Sequence, residues 1–485
     1  MLKFDYKRFS TDMLVYGVGN IIQKFIGLLL LPFFTRFLHT EDYGIMALLT
    51  LMSSLVGGFF SLGTGSSMSI LYFSESDLSK RPSVVWTNIF LLLANSFLLL
   101  SIIYLCAPFI SQLVYQTSIY SNYIRLSFLA LAIANVTNPF YSYLQMERKA
   151  KKYVLFSLIN IIISVVLSAF FVIWMKLGLI GLILPTVISQ GLMLFIIPIF
   201  STLKFPIKID FKLVRPLISI GFPSILGVFA FFFIDTADRQ LLQRMVGLNE
   251  LGIYSVGYGF GTMMMIFVGA FSSAWPPFFL EYVNKRLEAK NVFGQILKYY
   301  IILFGFLTLL FFVVAKPFTS LVVGPAFQDA YLVVGLVAAA YMLKGCYLIL
   351  LPGIYFAKKL HIQSAIEWSA GFINIGLNLL WIPMFGIVGS AAATLVSYLV
   401  LPILTWIFGR RYLAVDYEWK KIIMSVLVIS FACSILFWVS IFFELTYIYL
   451  CSIVIILFFI LFIYFIIFNF AERKLMSEKL LSCRK

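Results

Sequence analysis

The chain has 485 residues, of which 62% are apolar and only 12% charged, with a mean hydropathy of +1.02. That composition excludes a soluble globular domain, and recurring apolar runs of about 20 residues, long enough to cross a hydrocarbon layer, exclude a barrel of short alternating strands. The net charge of +16 invites a nucleic-acid reading, but the basic residues lie in short loops between apolar runs, as loops retained in the cytoplasm do.

In chain order the pattern predicts fourteen membrane spans. The first, 11–33, follows Lys3, Lys7 and Arg8 as a signal peptide would, but it is too long, contains Lys24 and lacks an Ala-x-Ala-like exit. It reads as a retained span. Gly17, Asn20, Lys24 and Gly27 fall on one helical face, and a polar-and-small stripe faces protein or water rather than lipid. Lys24 therefore either lines a cavity or snorkels to a neighbouring helix. Spans 43–66 and 84–106 carry no basic residue. Span 123–144 opens with Arg125, on a face shared with Ala132, Asn135, Pro139 and Ser142. That arginine suits a phosphate or marks the membrane interface.

Spans 154–174, 179–202 and 216–236 follow. The last of these leads into Asp235, Asp238 and Arg239, spaced for a structural ion pair or for a cation-coupling carboxylate. Next come 251–280, 294–315 and 329–353, where Lys344 shares a face with Tyr341, Tyr347 and Tyr355. A cation beside aromatic rings suits a diphosphate next to a sugar, although tyrosines are also ordinary packing residues. Span 364–382 carries Glu367, Gly371, Asn374 and Asn378 on one face, as sugar ligands or as interhelical glue. Glu367 is a candidate partner for Lys344 when no substrate is bound. Spans 387–408, 422–440 and 446–470 complete the set.

Most of the 36 lysines and arginines fall on the side that holds both termini; only Arg36, Lys176, Arg239, Arg244 and Lys316 lie in the opposite loops. Both termini are therefore expected in the cytoplasm. The five cysteines have no paired or metal-ligand spacing, His39 and His361 lie on opposite sides, and no Gly-Lys dipeptide exists for a P-loop. No catalytic residue, metal site or cofactor is expected.

The chain also repeats itself. Asn249-Glu250-Leu251-Gly252-Ile253 echoes Glu41-Asp42-Tyr43-Gly44-Ile45, and Gly386-Ile387-Val388-Gly389 echoes Gly178-Leu179-Ile180-Gly181, both at an offset of 208. The copies begin six spans apart, so the repeat is parallel, with an axis along the membrane normal. The expected architecture is all-α: an N-lobe (1–210) and a C-lobe (211–415) around a central cavity. Residues 416–485 would add two helices and a basic tail. Such repeats are the usual signature of a transporter.

The stretch Pro32-Phe33-Phe34-Thr35-Arg36-Phe37-Leu38 leading to Tyr43-Gly44-Ile45 and the stretch Asp238-Arg239-Gln240-Leu241-Leu242 leading to Leu251-Gly252-Ile253-Tyr254-Ser255 resemble the polysaccharide-transporter branch of the multidrug/oligosaccharidyl-lipid/polysaccharide flippase superfamily. The Gly-x-x-Gly openings of spans 6 and 12 fit as well. The resemblance covers nearly the whole chain. It implies a monomeric carrier in a bacterial cytoplasmic membrane that flips undecaprenyl-diphosphate-linked oligosaccharides by alternating access, for O-antigen, capsule or another polymer taken up by a polymerase.

Charge at membrane depth costs roughly 2.5–3.5 kcal/mol even on permissive scales, so each such residue needs a reason. Lys24, Arg125 and Lys344, with Asn20, Tyr341, Asn374 and Asn378, are the candidate headgroup ligands. Asp235, Asp238, Arg239 and Glu367 are the candidate coupling or gating residues. Two other classes remain open. A cation-coupled drug exporter would carry central acids where this chain carries lysines. A membrane glycosyltransferase or polymerase would need a large outer loop rich in carboxylates, and these loops are short. A scaffold without transport would leave so many intramembrane charges without a role.

Overall fold

The structure is a computed structural model and describes residue 26 and residues 33–147, 149–201, 207–222, 237–280, 282, 286–357 and 359–468. Asn20, Lys24 and Asp235, and most of the first and seventh expected spans, lie outside the described residues.

The described chain is helical. The principal helices are α1 (Thr40–Ser61), α2 (Thr64–Ser74), α3 (Arg81–Tyr115), α4 (Ser121–Met146), α5 (Ala150–Ala169) and α6 (Ile180–Phe200). They continue with α7 (Ala237–Val246), α8 (Leu248–Gly261), α9 (Met264–Leu280), α10 (Arg286–Val322) and α11 (Tyr331–Leu350). The last are α12 (Pro352–Phe356), α13 (Leu360–Gly409), α14 (Trp419–Phe442) and α15 (Leu445–Phe462). Among the described residues nine helices are long and apolar enough to cross a membrane, or ten if α8 and the start of α9, bent by 44°, form one span. Their outward faces carry large apolar side chains such as Phe97, Phe109, Trp174 and Leu427, as lipid-facing helices do.

By internal packing the chain divides into two compact units, Met1–Gly252 and Ile253–Lys485. In the first, α4 packs on both α3 and α6. Trp86, Phe140, Tyr143, Met193 and Ile197 are among its buried core residues. In the second, α11 is wedged against α10 and α13, and α14 packs on α10.

The repeat is visible in the backbone. Gly178 and Gly386 both adopt φ 56°, a left-handed conformation that glycine enters without steric cost. Each turns the chain into the next membrane helix. Three residues on, a Cβ at Gly181 would crowd the backbone of Phe171 and Val172, and one at Gly389 would overlap the carbonyl of Trp381. The Gly-x-x-Gly pattern thus has one role in both copies. Its first glycine reverses the chain, and its second lets the returning helix press on the helix it left. In the second copy the break at Gly386 (φ 56°, ψ −133°) divides α13 into the two arms expected as separate spans.

The other echo is a reciprocal contact inside the first unit. A Cβ on Gly44 would overlap the Leu248 carbonyl oxygen, and one on Gly252 would overlap that of Thr40. Thr40 and Leu248 are themselves one offset apart. α1 and α8 therefore cross backbone to backbone at matched positions. Thr40 Oγ1 donates to Asn249 Oδ1 at 2.8 Å beside the crossing.

Candidate functional site

A polar constellation lies around α11, in the second unit. Residues three apart on a helix share a face, so Tyr341, Lys344 and Tyr347 line one side of it. Lys344 Nζ lies 5.7 Å from the ring centroid of Tyr341 and 5.7 Å from that of Tyr398, which the second arm of α13 supplies. The two rings are 5.6 Å apart. Tyr258, from α8, shares a 3.0 Å hydroxyl–hydroxyl hydrogen bond with Tyr341 and packs edge-on against its ring. A half-buried ammonium thus rests against the electron-rich faces of two rings, with phenolic hydroxyls beside it. Such a cation–π contact contributes about 0.5–2 kcal/mol, increasing with desolvation. The arrangement keeps a cation against a wall of buried tyrosines.

One turn along α11, the Tyr347 hydroxyl donates to Glu367 Oε1 at 2.6 Å, and Gln363 Nε2 donates to the same oxygen at 3.1 Å. Glu367 is buried. Its carboxyl accepts from a phenol and an amide. Tyr355 sits apart, packed edge-on against Phe279.

Asn374 and Asn378, on the first arm of α13, are each 0% exposed. Asn378 Nδ2 donates to both the backbone O and the Oδ1 of Asn374 at 2.9 Å. Asn374 Nδ2 and Asn378 Oδ1 have no hydrogen-bond partner among the described residues. A buried amide donor and a buried amide acceptor left unmatched each carry a desolvation cost of about 1–3 kcal/mol. In this conformation the pair is sealed in helix packing rather than open to a cavity.

The remaining candidates lie in the first unit. Arg125 stacks on the ring of Tyr104, its guanidinium carbon 4.5 Å from the centroid. Its Nε donates to the Tyr104 carbonyl at 3.2 Å and its Nη1 to Asn122 Oδ1 at 3.0 Å. It faces an apolar groove rather than a polar cluster. Asp238 is buried in the first turn of α7, where the helix dipole favours a carboxylate. Arg239 follows it half-buried. The neighbouring Gln240 and Arg244 donate to the carbonyls of Val114 and Leu113, which ties α7 to the end of α3.

A buried lysine escaped the sequence reading. Lys298 in α10 is only 2% exposed, and its ammonium lies 2.8 Å from Glu418 Oε1. Lys421 contacts the other Glu418 oxygen at 2.7 Å. Hydrogen bonds from Lys298 first, then Lys421, hold the Glu418 carboxyl below the usual carboxylate range. Gly294, one turn before Lys298, has no room for a Cβ against the Asp416 carbonyl. The triad fastens the segment before α14 to α10, a structural role. Its one sequence signal is an acid flanked by lysines at the head of a span.

Comparison with solved structures defines the fold. The fold is similar to that of the lipid II flippase MurJ in an inward closed conformation, with a TM-score of 0.70 and 16% identity, covering 93% of this chain and 99% of that one. It is also similar to an inward-facing multidrug-resistance MATE transporter of the MOP superfamily, with a TM-score of 0.59 and 14% identity, covering 81% and 94%. The chain therefore shares the multi-helix membrane fold of these two proteins. Residues 10–283, more than half of the chain, match the family model for polysaccharide biosynthesis proteins, and the chain belongs to that family. An Lsg-locus protein of Haemophilus influenzae is 21% identical over 407 residues, 80% of this chain and 96% of the relative. The chain is thus a member of the polysaccharide biosynthesis family whose fold is shared with MurJ and a MATE transporter.

Proposed function

We propose that the protein flips undecaprenyl-diphosphate-linked oligosaccharide repeat units from the cytoplasmic to the outer leaflet of a bacterial cytoplasmic membrane, for O-antigen, capsule or a related surface polymer. The observation that carries this reading is Lys344 in its wall of Tyr341, Tyr398 and Tyr258. A diphosphate needs a cation, and the sugar next to it gains from an aromatic face and phenolic hydroxyls. The polyprenyl tail stays in lipid. Lys24 and Asn20, on the sequence stripe of the first span, are the proposed further headgroup ligands. The Asn374–Asn378 pair supports a sugar role, since a sugar hydroxyl both donates and accepts and would satisfy the unmatched Nδ2 and Oδ1. Because the pair is sealed here, that contact belongs to another step of an alternating-access cycle.

Movement of a diphosphate with about two negative charges out of a negative interior gains about 2.3 kcal/mol per charge per 100 mV. Withdrawal of the product by a polymerase would pull in the same direction. A cation-coupled drug exporter fits less well, because the half-buried charge of this constellation is basic and Glu367 is engaged by Tyr347 and Gln363.

The test is reconstitution in liposomes with lipid-diphosphate oligosaccharide, measuring transbilayer movement with and without an imposed potential. Movement that is faster with the potential negative on the side of origin supports the reading. A folded wild-type protein that moves no such lipid but extrudes lipophilic cations overturns it.

A further inference from the structure

The groove between α3 and α4 carries chemistry that transport leaves unused. It has a volume of about 560 Å³ and is lined by apolar side chains, with Arg125 the one charged residue in it among the described residues. Phe97 on its wall is 73% exposed and the adjoining Leu105 79% exposed, so the groove opens on a surface suited to lipid tails. Arg125 stands one turn into α4 beside Tyr104, and Arg and Tyr are residues that anchor at headgroup level. Two of its N–H groups are fixed by the Tyr104 carbonyl and Asn122, and the guanidinium is stacked on the Tyr104 ring. A guanidinium has five N–H donors, so this leaves three that no described residue takes up.

The lining runs away from that cation in one direction. It passes one turn along α4 to Leu129, and from Tyr104 past Leu100 to Phe97 along α3, about 10 Å of apolar channel. A pre-oriented cation at one end of an apolar groove has the form of a site for an amphiphile with an anionic head and an acyl tail.

We propose that this groove holds an anionic glycerophospholipid of the surrounding bilayer, its phosphodiester on Arg125 and one acyl chain along Leu129, Leu100 and Phe97. A single guanidinium matches the single charge of a phosphodiester, whereas a diphosphate would call for a second cation. The assignment gives Arg125 a ligand other than the transported headgroup. It is independent of what the chain transports.

Native mass spectrometry of the detergent-purified protein with phosphatidylglycerol and phosphatidylcholine tests it. Wild type should retain phosphatidylglycerol preferentially. Arg125→Gln should weaken that binding about tenfold, or about 1.4 kcal/mol, and abolish the preference. Leu129→Trp, which fills the groove and keeps the arginine, should lower retention of both lipids. Unchanged phosphatidylglycerol binding in a folded Arg125→Gln protein overturns the proposal. Displacement of phosphatidylglycerol by an equal concentration of polyprenyl diphosphate also overturns it, and gives the groove to the isoprenoid lipid instead. If Arg125→Gln fails to fold, unchanged retention in Leu129→Trp has the same force. Binding is read without transport, so failure here leaves the flippase reading untouched.

Discussion

Lys344 is held between two rings, and that geometry separates charge from shape. Lys344→Gln removes the cation while keeping a polar chain of similar reach, and Lys344→Arg keeps the cation. Under the flippase reading, Gln should slow lipid-linked oligosaccharide flipping at least about tenfold, the equivalent of one charge-assisted phosphate contact, while Arg retains more than Gln. Equal rates in folded Lys344→Gln and wild-type protein would remove this lysine from the site. At Glu418 the sign of the pH dependence is fixed. Its folded-state pKa lies below the ordinary value, first through Lys298 and then Lys421. The stability it contributes is therefore complete above pH about 4.3 and is lost as pH falls through the lowered value. Thermal melts should show an acid-side loss that Glu418→Gln flattens, whereas Asp416→Asn, whose side chain is outside the triad, leaves the profile in place.

The Tyr341–Lys344 pair was legible in the sequence because both residues lie on one helix three apart. Tyr398 and Tyr258 were not, because α13 and α8 deliver them and periodicity says nothing about which faces of different helices meet. The same gap hid the contact of Glu367 with Tyr347.

At the scale of elements, glycines decide where helices turn and cross. Alanine at Gly178 or Gly386 would be forced into a positive-φ conformation that side chains rarely adopt, at a cost of about 1–3 kcal/mol. Gly389→Ala adds an overlap with backbone that cannot swing aside, so it should lower the melting temperature more than Gly386→Ala does. At the α1–α8 crossing, Gly44→Ala and Gly252→Ala should each push the two helices apart. Disulfide formation between cysteines placed at Thr40 and Asn249 reports this directly, with high yield in the parent and a reduced yield in either glycine variant. Undiminished cross-linking would show that the crossing tolerates a side chain.

Among the described residues hydropathy located apolar helices but not their bends. Residues 43–66 read as one span, yet Leu62 (φ 49°) and Gly63 (φ 66°) divide it into α1 and α2. The counterpart, 251–280, is likewise divided, into α8 and α9. Both halves of each bend are apolar, so no change in composition marks the break. Span limits were short because a helix can continue beyond the apolar stretch that announces it: α3 and α10 run to 35 and 37 residues.

For the whole molecule, orientation is the property that charge alone assigned. We propose from the basic loops that both termini are cytoplasmic, which would put the turn between α3 and α4 outside and the turn before α3 inside. In intact cells a membrane-impermeant maleimide should label Ser118→Cys and spare Ser79→Cys in a background lacking the natural cysteines. The reverse pattern would invert the topology and, with it, the proposed direction of transport.

The crossing of Gly44 on Leu248 and Gly252 on Thr40 has one more consequence. Each helix offers the same groove and the same ridge, so the contact is self-complementary, the kind that joins identical subunits across a two-fold axis. A half-length ancestor bearing one copy of the motif would have carried both sides of its own dimer interface. Fusion of two such copies would turn a subunit interface into an internal seam, free to carry Thr40–Asn249 on one side without its mirror on the other.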